Sequence, residues 1–237
     1  MPALNHKPIN YDSWNFDGQG KNIIRSLNFV EKRTWHIALP YQDTRRGEKG
    51  HAENVTYFAL KLLDYIPRDK KSARKIVIPS AILHDTGWSQ LTEIERKLFY
   101  ECESDGKGKQ VWERYEPILR ARHQEQGVCL SKKLLSELNY PSELTSQILE
   151  IISQHDTRKG FLDENDGIMR DADKLWRYTL PHLELGLKER NLNPDEFAQF
   201  LFNNINKEGF FYSPVSREVA EIELKNALYD WKRKQNN

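Results

Sequence analysis

The sequence predicts an all-α fold: a single helical bundle with an irregular N-terminal arm and C-terminal helical additions. Three observations lead there. Apolar residues recur at spacings of three and four in most segments, no useful length of sequence alternates in the manner of a half-buried strand, and no fixed-period repeat or low-complexity tract is present. A chain of 237 residues can bury a substantial core without disulfides or structural metal. Its ten phenylalanines, ten tyrosines and six tryptophans supply bulky core material of a kind disordered chains lack.

From Met1 to about Gly20 the chain is rich in Asn, Asp, Gly and Pro without a clear period, which predicts an arm anchored by Trp14 and Phe16. Ile23 to about Leu39 reads as one helix stopped near Pro40, because proline disfavours helical geometry in the residue before it. After the polar stretch Gln42 to Gly50, the residues His51, Val55, Phe58, Ala59, Leu62, Leu63 and Ile66 share one face of a helix closed by Pro67. The apolar run Ile76 to Leu83 contains Pro79, which predicts a kink or a late start, and ends in His84-Asp85-Thr86-Gly87, where the glycine is expected to stop the helix in left-handed geometry. Glu103 to Lys109 reads as a loop, and a long helix with His123, Gly127, Leu130, Leu134 and Leu138 on one stripe follows it, broken at Asn139-Tyr140-Pro141. Leu144, Ile148, Ile151, Ile152 and His155 form the next stripe. Gly160 to Gly167 reads as a polar loop and Ile168 to Tyr178 as a helix; the last two helices are expected over Pro194 to Asn204 and Val215 to Lys232. No linker-like composition divides the chain, so the expected organisation is an arm and first helix over 1–45, a core over 46–178 and helices packed on it over 179–237.

Lys plus Arg number 36 and Asp plus Glu 35, so no global electrostatic pull favours nucleic acid or an anionic membrane. Only Cys102 and Cys129 are present, outside any CxxC pattern, which suits a reducing compartment. With neither a secretory-type apolar run at the N-terminus nor a membrane-spanning stretch, the expected location is the cytoplasm. Apolar positions on the C-terminal helix could serve the core or a homo-oligomer.

A single core-facing histidine is ordinarily a hydrogen-bonded buried imidazole. Here His51, His84, His123 and His155 occupy the apolar faces of four separate helices, and His84 and His155 are each followed by aspartate. Inward-facing imidazoles and carboxylates from neighbouring helices are how bundles build metal sites, and nitrogen and oxygen donors without thiolate suit Mn, Fe, Mg, Co, Ni or Zn. Because adjacent helical residues point about 100° apart, His84-Asp85 can reach a metal from two directions, with Asp85 as candidate bridge between two ions. His6, His36 and His182 lie outside this pattern.

The ordered set resembles the HD-domain superfamily of metal-dependent phosphohydrolases, over roughly Arg46 to Tyr178. Its anchors are Gly50-His51-Ala52-Glu53-Asn54-Val55, Ile82-Leu83-His84-Asp85-Thr86-Gly87-Trp88, Arg122-His123-Gln124-Glu125-Gln126-Gly127, Ser153-Gln154-His155-Asp156 and Asp171-Ala172-Asp173-Lys174. The resemblance implies one divalent ion at His51, His84, Asp85 and Asp173, and a second at Asp85, His123 and His155. The implied activity is hydrolysis of a phosphate ester or anhydride of a small molecule, a nucleotide or similar, by a metal-activated water positioned by His84-Asp85. Asp156 is then a candidate proton carrier, and Arg158 and Lys159 candidate ligands for phosphate oxygens. Trp88 is a candidate pocket wall or core residue; Asp171 and Lys174 are expected to face solvent or pair with neighbours. The Gly-Tyr-Pro signature of the cyclic-dinucleotide branch is missing. Two other readings fit the same ligands: a mixed-valence diiron oxygenase of this superfamily, and a non-catalytic nucleotide sensor.

Overall fold

Helices dominate the structure, a computed structural model that describes residues 23–42, 49–66, 69–95, 109–190 and 193–235. The helices are α1 (Ile23–Ser26), α2 (Phe29–Ala38), α3 (His51–Leu62), α4 (Lys70–Leu83), α5 (Lys109–Glu137), α6 (Ser142–Ser153), α7 (Glu164–Leu175), α8 (Leu180–Arg190), α9 (Pro194–Ile205) and α10 (Pro214–Gln235). Tight 3-10 turns follow α2, α4 and α7 at Leu39–Tyr41, Thr86–Gln90 and Trp176–Tyr178. No strand occurs among the described residues, in line with the all-α expectation. The expected arm, Arg45-Arg46 and all but the last residue of the Glu103 to Lys109 loop lie outside the described residues.

Local chemistry sets the helix ends. Where one helix is expected from Ile23, the chain breaks at Asn28, whose side chain accepts the Glu31 N–H at 3.0 Å while Glu31 accepts the Asn28 N–H at 2.7 Å. This reciprocal cap outweighs continuation of the helix, and its Asn-x-x-Glu signature is in the sequence. Glu31 is further fixed by Arg74 Nε and Nη2, both at 2.7 Å. The helix around Pro79 begins early, at Lys70, because Asp69 caps it by accepting the Ser72 N–H at 3.1 Å. Pro79 offers no N–H to the carbonyl one turn back. That carbonyl, on Lys75, accepts instead from the Tyr140 hydroxyl at 2.6 Å. Likewise α7 starts at Glu164 rather than Ile168, since Asp163 accepts the Asp166 N–H at 2.8 Å.

The sequence reading passes over α8 altogether. Its Gly186 stands where a Cβ would come 2.3 Å from Phe197 of α9, so the close packing of the two helices calls for a glycine there.

At the centre lies α4, with every residue from Ile76 to Leu83 buried. It packs against α2, α3, α6 and α7, while α10 packs on α7, α8 and α9. One continuous apolar core runs from Ile23 to Ala227, and Val215, Val219, Ala220, Leu224 and Ala227 of α10 are buried in it. That places these apolar residues of α10 inside the chain's own core and removes them from an oligomer face. A second, small cluster of Trp88, Leu91 and Leu119, with Tyr115 against it, sits where the Thr86–Gln90 turn meets α5. No helix among the described residues is long and apolar enough to cross a membrane.

Candidate metal centre

Five segments deliver the site. His51 opens α3 immediately after Gly50, whose φ of +83° supplies the left-handed turn into the helix. His84 ends α4, its N–H donating to the Ser80 carbonyl at 2.9 Å. Asp85 follows at φ −100°, ψ 5°, in the sparsely populated bridge region where helical continuation stops. His123 lies inside α5, His155 in the turn just past α6, and Asp173 near the end of α7. The expected helix stop at Gly87 is corrected: it has no positive φ. Instead a Cβ there would come 1.9 Å from the His123 carbonyl and 2.5 Å from Gly127 N, so the glycine lets the His-Asp turn lie directly on α5.

All four histidines are buried, and their Nε2 atoms converge in two groups. In the first, His51 Nε2 is 3.1 Å from His84 Nε2 and 3.3 Å from Asp173 Oδ1, and His84 Nε2 is 3.6 Å from that oxygen. In the second, His123 and His155 Nε2 are 3.3 Å apart and lie 3.5 and 3.2 Å from Asp85 Oδ1. Asp85 Oδ2 faces the other way, 3.3 Å from His51 Nε2 and 3.7 Å from His84 Nε2. One carboxylate thus serves both groups. Asp173, named at the sequence level through the family resemblance alone, joins the first.

The residues fit divalent cations on two counts. Donors about 2.1 Å from one ion stand about 3.0 Å apart at a right angle and about 3.4 Å apart at the tetrahedral angle, close to the edges of both groups. Second, Nδ1 of His84 donates to the Ala81 carbonyl at 2.9 Å and Nδ1 of His155 to the Ile152 carbonyl at 2.8 Å. This leaves their Nε2 lone pairs turned inward, where two imidazole nitrogens at hydrogen-bond distance repel unless a proton or a cation lies between them. Buried His/Asp groups of this kind could hold a metal ion.

The electrostatics of the two carboxylates agree. Burial alone would raise the Asp85 carboxyl, but His84, His123, His155 and His51 around it hold it well below the usual carboxylate range. Asp173 is likewise held down, against burial, by His51 and His84. Burial would lower His155, yet Asp85 and Asp156 raise it to about 9; for His123 burial prevails and the shift is downward.

Asp156 belongs to the second group. Its Oδ2 is 3.6 Å from His123 Nε2, 4.0 Å from His155 Nε2 and 2.9 Å from Arg120 Nη1. Gln124 Oε1 accepts both the Asp156 N–H and the Thr157 hydroxyl at 3.2 Å. Arg120 went unnoticed in the sequence and Gln124 stood there only as a member of the His123 anchor, although Arg120, Gln124 and Gly127 recur at spacings of four and three along the helix that carries His123. Arg158 turns back onto α6, donating to the Glu150 carboxylate at 2.8 Å and its carbonyl at 3.1 Å, and Lys159 is exposed. Asp171 is buried, not solvent-facing, and accepts the Tyr212 and Ser213 N–H groups at 2.8 and 3.0 Å; Lys174 pairs with the Phe210 carbonyl and with Asp171. His36 is exposed, and His182 lies against Trp176 and Phe197.

No family model, curated protein or solved structure matches this chain.

Proposed function

We propose that the chain is a metal-dependent phosphohydrolase of the HD type, acting on a phosphate ester or anhydride of a small molecule. The observation that carries this reading is the division of Asp85, one oxygen towards His51 and His84 and the other towards His123 and His155. His51, His84 and Asp173 would hold one ion and His123 and His155 a second, with Asp85 shared. Such a pair supplies an acidified water as nucleophile and offsets charge on phosphoryl oxygens.

Hydrolysis joins the water oxygen to phosphorus, breaks the bond to the leaving oxygen and moves one proton from the water to a base. Asp156 Oδ2 is the base this chain offers. Burial raises this carboxyl, but His155, Arg120 and His123 around it hold it below its ordinary range, so it is ionised at neutral pH. Gln124 fixes the backbone N–H of Asp156, which sets where that carboxylate stands.

The test is phosphate release from a panel of phosphomonoesters, nucleotides and phosphoanhydrides by protein stripped of metal and then supplied with Mn, Mg or Co. Ion-dependent release that disappears in His84→Ala supports the reading. Retained iron with oxygen consumption and no phosphate release would replace it with the diiron oxygenase, and nucleotide binding without turnover would replace it with the sensor.

A further inference from the structure

Trp88 meets the second half of the centre in two ways at once. Its indole is 1% exposed and lies parallel to the His123 ring, with centroids 4.1 Å apart and planes 13° apart. Its Nε1–H donates to Asp85 Oδ1 at 3.2 Å, the oxygen that faces His123 and His155. We propose that Trp88 is a positioning residue for the second ion, holding Asp85 and His123 in the orientation that binds it. This rests on the two-ion reading above.

Two of the other three imidazoles show the need. A ligating histidine is ordinarily oriented by a hydrogen bond from its second ring nitrogen, and His84 and His155 have this through the Ala81 and Ile152 carbonyls. His123 Nδ1 is buried with no hydrogen-bond partner. Nothing polar fixes that ring at Nδ1, so the parallel indole face sets its plane. For Asp85, a carboxylate oxygen has two lone-pair directions; the indole N–H occupies one on Oδ1 and leaves the other for an ion.

The first half has no equivalent. There the neighbouring tryptophan, Trp176, meets His51 edge-on, with centroids 5.6 Å apart and planes at 82°, and its Nε1 is buried without a hydrogen-bond partner. Gly87 makes the difference possible. It lets the turn carrying Trp88 settle on the α5 backbone beside His123.

The experiment is a stepwise Mn²⁺ titration by calorimetry of the full chain, stripped of metal, with thermal unfolding of the ion-free protein in parallel. Trp88→Phe keeps an aromatic face and removes the N–H; Trp88→Leu removes both contacts. Leu91→Ala loosens the same small apolar cluster at a residue not grouped with the ligands. One of the two binding steps is expected to weaken about tenfold in Trp88→Phe and about 100-fold in Trp88→Leu, the other step staying in place, while Leu91→Ala lowers Tm and moves neither step. A second step as tight in Trp88→Phe as in the wild type, or one weakened equally by Leu91→Ala, overturns the role of Trp88 and leaves the two-ion reading standing. A wild-type chain that takes up fewer than two ions overturns that reading and the proposal with it.

Discussion

Two regions of this molecule bury carboxyl groups, with opposite consequences. In the candidate metal centre Asp85 and Asp173 lie among imidazoles and are held well below the ordinary carboxylate range despite burial. In the C-terminal packing region burial dominates: Glu223 of α10 is pushed up from 4.5 to about 7, and Asp171, which ties α7 to the segment before α10, from 3.8 to about 6. Burial alone therefore does not mark a site for ions. Convergence of imidazoles on the same carboxylate oxygens does, and of the two regions the first has it.

The sharpest way to break this comparison is to remove the shared carboxylate. Asp85→Ala takes an oxygen from both groups, so uptake at both positions should fall by more than about 100-fold, beyond the loss caused by removing an outer partner. Glu223→Gln should leave uptake unchanged. Elemental analysis of both variants after metal loading checks this; two tightly held ions in Asp85→Ala would show that Asp85 is not shared.

Asp171→Ala probes the other region. Its carboxyl accepts two backbone N–H groups, those of Tyr212 and Ser213, and truncation leaves these donors without their partner at a cost of about 3 kcal/mol. The loss should appear in urea unfolding of the metal-free chain, with ion uptake retained. If uptake fell with stability, the two regions would be one cooperative unit.

Glu223 gives a pH signature. Between pH 4.5 and about 7 the folded chain keeps a proton there that the unfolded chain has released, so stability is greatest at the acid end and falls as pH rises through about 7. Above that range the loss amounts to about 3 kcal/mol. Glu223→Gln should restore this at pH 8 and flatten the slope, read by unfolding across the range. An unchanged slope would mean that the carboxyl finds a cation in the folded protein.

The two regions also differed in how far the sequence disclosed them. His51, His84, His123 and His155 were legible because a polar residue recurring on an apolar helical stripe is conspicuous, and the all-α class followed from the same periodicity. Asp173 was legible only through the order of the ligand set. Asp156 was singled out for its place beside His155, but its partners Arg120 and Gln124 look like any polar residues of a long amphipathic helix, and the contact between Trp88 and His123 joins residues that only the tertiary fold brings together. In the C-terminal part α8 was missed, although its Pro181 stands in the first turn, where a helix tolerates proline, and its Gly186 accommodates Phe197. For Asp171 the sequence left solvent exposure and pairing with neighbours both open; Lys174 is a neighbour it pairs with, but its backbone-amide partners lie forty residues away in sequence, which no side-chain pattern announces.

The smallest effect is expected from Arg158, in the loop between the two regions, whose sequence suggested a phosphate ligand. Its guanidinium donates to Glu150, and its own carbonyl accepts from Arg170 Nη2 at 2.9 Å, so it braces the loop leading into α7. An ion pair with a half-exposed partner contributes about 0.5 kcal/mol. Arg158→Ala should therefore cost about that much stability and, in the phosphate-release assay, leave KM within about twofold, since the carbonyl that Arg170 uses is retained. A KM raised about tenfold or more at unchanged stability would mean that the guanidinium leaves Glu150 when substrate arrives, and would move Arg158 from the packing region into the centre.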